Sequence, residues 1–236
     1  MPADIMAAVR EELRRSADET IREGARRFFK EKITCYGVKT PVVREIAGRY
    51  FRALQPEGKP VVFSLCEEMF RSGFMEEAFV ASDWAYRIRG SYEPGDFAVF
   101  EAWIEKYVDN WAKCDTLCNH AVGSFIERFP GHLSGLKRWT GSENRWMRRA
   151  SAVTLVLPAR KGLFPDDVLD IAGRLLRDPD DLVQKGYGWL LKEAGKSHPD
   201  RIFRFVMEHR RDMPRTALRY AIEKMPAEWR RQAMGR

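Results

Sequence analysis

The stretch LSGLKRWTGSENRWMRRASAVTL (Leu133–Leu155) superposes on LDIAGRLLRDPDDLVQKGYGWLL (Leu169–Leu191) at an offset of 36 residues. Each reads as a helix, a polar break and a second helix, because apolar residues recur three and four apart on both sides of the break. A basic residue falls at the same place early in each second helix, Arg149 in one and Lys185 in the other. Arg215 opens a third such helix thirty residues later. A single helix pair cannot bury its apolar face, so a period of this length calls for pairs stacked one on another.

Outside this repeat the same periodicity continues, and strand-like alternation between turn signals is hard to find, so the chain reads as all helix. Thr40-Pro41, Glu93-Pro94, Phe164-Pro165, Asp178-Pro179, His198-Pro199 and Met213-Pro214 suit first helical turns, where the missing N–H costs nothing. Roughly a dozen helices of about 10 to 17 residues follow. The expected architecture is a HEAT-like (ARM-type) α-solenoid of stacked antiparallel helix pairs, forming one domain over residues 1–236 with a concave wall. A compact, non-repetitive helical domain is the competing reading. The tail from Ala227 to Arg236 reads either as a final helix or as a basic extension.

Composition narrows the function. The formal charge of +7 and pI near 9.3 favour an anionic partner, with nucleic acid first, since a basic surface gains affinity by releasing condensed counterions. The longest apolar run, Val153–Pro158, is far below the roughly 18 residues a membrane span needs. Acidic residues at Asp4, Glu11 and Glu12 argue against a signal peptide. Four cysteines (Cys35, Cys66, Cys114, Cys118) then read as free thiols in a reducing cytoplasm. On successive second helices, Arg149, Lys185 and Arg215 would form a basic stripe along the concave wall, suited to a duplex backbone.

The stretch NWAKCDTLCNHAVG (Asn110–Gly123) carries the densest chemistry. On a regular helix Trp111, Asp115 and Cys118 share a face within about 60°. His120 falls on the far side from Asp115, so the two cysteines and the histidine cannot converge on one ion. No second CxxC or HxxxH supplies the remaining ligands of a zinc site. No metal and no cofactor is expected, and the cysteines read as small core residues. Taken singly, Asp115 reads as a helix cap or ion-pair partner and Trp111 as a core aromatic. Lys185 and Trp189 repeat the four-residue spacing, and Gly186 and Gly188 beside them thin the helix for close approach by another helix or a ligand. Two indoles, one carboxylate and a basic stripe suit a flat cationic group attached to a polyanion.

These residues resemble the AlkD-like family of bacterial DNA alkylation repair glycosylases, built from HEAT-like repeats. The resemblance runs through CYGVKTPVVRE (Cys35–Glu45), DNWAKCD, NRWMRRAS and VQKGYGWLLKE, in the family's order and spacing. It implies hydrolysis of the N-glycosidic bond of cationic alkylpurines such as 3-methyladenine and 7-methylguanine in duplex DNA, with the lesion left stacked rather than flipped. By position Asp115 corresponds to the catalytic aspartate, and Trp111 and Trp189 to the tryptophans flanking the lesion's sugar and backbone. Arg149 corresponds to a phosphate contact, and Arg148 and Lys185 are expected beside it on phosphate. Phe28 stands where the family carries tyrosine, which removes any hydroxyl contact there. Alkylation already makes the purine a good leaving group, so one carboxylate suffices to stabilise the oxocarbenium-like sugar and orient water. The expected protein is a bacterial, cytoplasmic monomer acting at the nucleoid without lyase activity. A non-catalytic scaffold binding damaged or branched DNA, or a protein partner, is the alternative.

Overall fold

A computed structural model describes residues 2–235, and within these no strand occurs beyond one isolated bridge between Thr34 and Phe74. The chain divides into two compact units, one up to Ala121 and one from Val122 onward.

The first unit contains α1 (Pro2–Arg15), α2 (Glu19–Phe28), α3 (Thr40–Leu54), α4 (Lys59–Arg71), α5 (Met75–Arg87), α6 (Asp96–Tyr107) and α7 (Trp111–Leu117). Helices α1, α3, α5 and α7 pack in succession, while α4 packs on α5 and α6. The second unit contains α8 (Gly123–Arg128), α9 (Leu133–Trp139), α10 (Arg145–Val153), α11 (Val156–Arg160), α12 (Pro165–Arg174), α13 (Asp181–Ala194), α14 (Pro199–His209), α15 (Arg215–Ile222) and α16 (Ala227–Met234).

In the second unit the quoted repeat becomes α9–α10 followed by α12–α13. First helices pack on first helices (α9 on α12), and second helices on second helices (α10 on α13, α13 on α15). Ion pairs join neighbouring helix pairs: Arg145 to Asp180 at 2.8 Å, Arg177 to Asp212 at 2.7 Å and Lys192 to Glu223 at 3.0 Å. Of these only Arg177–Asp212 is exposed at both ends, and a surface pair of that kind adds about 0–1 kcal/mol, so apolar burial carries most of the stacking.

Several helices are shorter than the periodicity suggests; α7, α8, α9 and α11 have five to seven residues. Breaker residues follow three of them: Pro130 after α8, Gly141 after α9, and Gly162, with φ of +83°, after α11. Pro165 and Pro199 open α12 and α14, and Pro41 lies in the first turn of α3. Pro214 caps α15 from outside, and Pro94 and Pro179 fall just before Gly95 and Asp180, the caps of α6 and α13. The C-terminal tail is helical as α16. Trp229 stacks on Phe203 at 4.3 Å, and the Arg210 guanidinium donates to the carbonyls of Gln232 and Gly235. Arg236 lies outside the described residues.

Candidate functional site

Asp115 is placed by a short helix whose every neighbour has a structural task. Asn110 caps α7 through its side-chain oxygen, which accepts from the Lys113 N–H at 3.0 Å. Lys113 is almost wholly buried, and its Nζ donates to the Gly73 carbonyl at 2.8 Å and to Asp109 at 2.9 Å. Cys114 and Cys118 are fully buried beside it. With these inside, Trp111 and Asp115 stay half-buried on the outer side of the helix.

Asp115 lies on the wall of a cleft of about 410 Å³, within the roughly 300–1,000 Å³ typical of ligand sites. Arg44 of α3, Asp83 and Tyr86 of α5, and Asn119 and His120 share that wall. The presence of His120 corrects the helical-wheel expectation. From Cys118 to Val122 the chain forms a π turn. Each residue then advances the helix by less than 100°, so His120 comes round to the side of Asp115. Such π bulges are frequent at functional sites, and nothing in the apolar spacing announces one. The His120 ring packs on Tyr86 at 5.4 Å, and its pKa is lowered by burial and then by the nearby Arg44 charge.

Trp111 belongs to an aromatic cluster. Phe29 stacks on the indole at 5.2 Å and 15°, and Phe28 meets it edge-on at 6.0 Å with 71% of its surface exposed. An apolar ring this open, with no hydroxyl, offers stacking and van der Waals contact but no hydrogen bond.

The CYGVK segment that leads into α3 is fixed by two buried glutamates at the start of α5. Glu76 accepts the N–H groups of Tyr36, Gly37 and Val38 at 3.0, 2.8 and 3.0 Å. Glu77 accepts the Tyr36 hydroxyl at 2.6 Å and Arg10 Nε at 3.0 Å. Gly37 has φ of +89°, and a Cβ there would stand 2.4 Å from the Asp18 carbonyl, so only glycine fits. This anchoring fixes the N-terminus of α3 and hence Arg44, one turn along. Sequence reasoning does not single out Arg44, Tyr86, Asn119 or Lys113; for Arg44, its place one turn beyond Thr40-Pro41 is the available signal.

In the second unit the expected basic stripe is not one exposed surface. Arg149 is buried, with its Nη1 donating to the Leu182 carbonyl. Arg148 grips Asp178 at 2.6 Å and the carbonyls of Ser142 and Glu143 at 3.0 Å each, an internal brace at the start of α10. Lys185 is half-buried and pairs with Asp181 at 3.1 Å, while Arg215 is exposed. Trp189, one turn beyond Lys185 on α13, is half-buried. The two thin positions of α13 serve helix approach: a Cβ at Gly186 would stand 3.4 Å from Arg149 Cγ, and one at Gly188 only 2.7 Å from Tyr220 Cβ.

The sequence model of a family described as DNA alkylation repair enzyme matches residues 9–225. Among solved structures, a protein of Enterococcus faecalis described as a predicted DNA alkylation repair enzyme superposes with a TM-score of 0.80 at 16% identity. The match covers 90% of this chain and 98% of the other. At that identity the likeness is one of fold. No curated protein matches the chain.

Proposed function

The chain belongs to the DNA alkylation repair enzyme family, and from that premise we propose that it is a monofunctional DNA glycosylase. It releases cationic alkylpurines such as 3-methyladenine and 7-methylguanine from duplex DNA without flipping the base. Asp115 is the catalytic anion, and Trp111, in the aromatic cluster with Phe28 and Phe29, packs against the sugar and backbone at the lesion. Trp189 of the second unit has the same task, and Lys185 of that unit contacts phosphate, while Arg149, buried with its Nη1 on the Leu182 carbonyl, meets phosphate only by turning outward. Arg148 contributes by bracing the start of α10, and it meets phosphate only by leaving Asp178.

The single observation that carries this reading is the Asp115 carboxylate on the wall of an open cleft, on the short helix that also presents Trp111. The alkylated base leaves neutral, so no general acid is required, and the charge that develops on deoxyribose needs a nearby anion. The same carboxylate can orient the attacking water. Lys185 is committed to Asp181 rather than desolvated, which disfavours Schiff-base chemistry and agrees with hydrolysis alone.

The test is base release from duplex DNA carrying 7-methylguanine, by wild type and Asp115→Asn. Loss of one electrostatic contribution of this kind costs about 10²–10³ in rate. Equal release by both proteins refutes the role of Asp115. No release by wild type from any alkylated duplex leaves the scaffold reading instead.

A further inference from the structure

A second cleft, of about 650 Å³, opens between α3 and α5 on the first unit. Its walls carry Arg44, Arg49, Arg52, Arg87 and Arg89 against the single acidic residue Glu45. Some of this charge is neutralised locally. Arg49 pairs with Glu12 and Glu45, and Arg87 with Asp83. Arg44 and Arg52 are exposed and form no ion pair with a described residue, so the cleft keeps a positive surplus. Arg89 lies over the Tyr86 ring at 4.3 Å while its Nη1 donates to the Tyr86 carbonyl at 3.2 Å, and these two contacts orient its fork.

At Gly48 a Cβ would stand 3.0 Å from Arg87 Nη2, so the bare backbone lets Arg87 lie close against α3. The cleft offers little to a base: Phe51 is buried and already carries Arg87 at 5.5 Å from its ring. What it offers is an array of planar donors, which suits the paired oxygens of an anion such as a backbone phosphate. Arg44 lines both this cleft and the one holding Asp115, so the two adjoin at this residue of α3.

We infer that the arginine-lined cleft between α3 and α5 is a phosphate track for the DNA strand leaving the Asp115 cleft, with Arg44 at the junction and Arg52 and Arg89 further along. It rests on the glycosylase reading only in taking duplex DNA as the ligand. The track fixes where the flanking duplex lies on the first unit, and it reads no sequence, because phosphate contacts position without specifying.

The experiment measures binding of the whole protein to an undamaged duplex by fluorescence anisotropy across a salt series. Removing one side chain that neutralises a phosphate makes the slope of log K against log[salt] shallower by about 0.9. Arg52→Ala is expected to remove one such step and Arg52→Glu to weaken binding further. Arg89→Ala is expected to remove another step. Arg230→Ala, on α16 of the second unit, removes the same bulk charge and serves as the control. Slopes unchanged by the Arg52 and Arg89 substitutions overturn the track, and so does an equal change from Arg230→Ala. Arg52 is exposed and breaks no ion pair with a described residue when replaced, so its variants report on binding and not on folding. No lesion and no turnover are involved, so failure of the glycosylase reading and failure of the track are separate results.

Discussion

Gly188→Ala is the sharpest test of how α13 is packed, and α13 is the helix that carries Lys185 and Trp189. The added Cβ would stand 2.7 Å from Tyr220 Cβ, 2.8 Å from the Ala217 carbonyl oxygen and 3.2 Å from Ala217 Cα. Two of these atoms are backbone and the third is bonded to it, so no rotamer change relieves the clash. Helices α13 and α15 must separate instead. Overpacking of this kind costs about 1–3 kcal/mol, and replacing glycine in a helix returns about 1 kcal/mol. The net loss is about 1–2 kcal/mol where the packing term sits in the upper half of its range. For a chain of this length each kcal/mol moves Tm by about 2–4 °C, so thermal unfolding followed by circular dichroism should fall by roughly 2–8 °C. Gly173→Ala is the control with the opposite sign. Gly173 lies exposed in α12 with no atom within 4 Å of the added Cβ, so alanine there should stabilise by about 0.5–1 kcal/mol. A Gly188→Ala protein as stable as wild type would refute the claim that glycine at this position exists for helix approach.

Two further outcomes concern the Asp115 cleft. The His120 imidazole should titrate by NMR below the ordinary histidine value of about 6.5, and Arg44→Ala should raise the midpoint only in part, because burial is the larger cause. The unfolded chain then binds more protons than the folded one just below that pH, so stability falls as pH drops through about 6.5, and His120→Gln should flatten this dependence. A midpoint at or above 6.5 removes the argument. Lys113→Met leaves the Gly73 carbonyl and Asp109 without their buried donor, which should cost about 1–3 kcal/mol in urea unfolding; an unchanged midpoint would mean that the ammonium does not anchor α7.

Much of the fold is legible in the sequence because it rests on one period. The offset that aligns Leu133 with Leu169 returns as α10 packed on α13, and Gly188, which reads as a point of close approach, is filled by α15. What periodicity alone does not deliver is how short the helices between breakers are, as with α9, which ends before Thr140-Gly141, and α11, which ends before Gly162. The same limit explains His120. A wheel drawn at 100° per residue assumes that each turn is like the last, and the π turn from Cys118 violates it. Charge is the least legible property. Arg149 reads as a member of an exposed stripe and Arg148 as a phosphate contact beside it, yet each finds carbonyl or carboxylate partners inside the second unit that no residue count reveals.

That difference between exposed and internally satisfied charge bears on how such a site can be altered. Around Asp115 the residues that set its position are Asn110, Lys113, Cys114 and Cys118, all of which face inward, whereas those that meet a ligand, His120 of the π turn among them, face the cleft. Inward residues act through stability, because burying an unpaired donor or opening a void costs the whole unit. Cleft residues such as Arg44 and His120 can change with little effect on folding, since their surroundings are solvent on one side. Substitutions along the single stretch Asn110–His120 should therefore separate by direction rather than by distance from Asp115: inward changes lower the unfolding midpoint, outward changes leave it in place and act on DNA. A helix in which both kinds moved stability equally would not be holding a carboxylate on an otherwise independent scaffold.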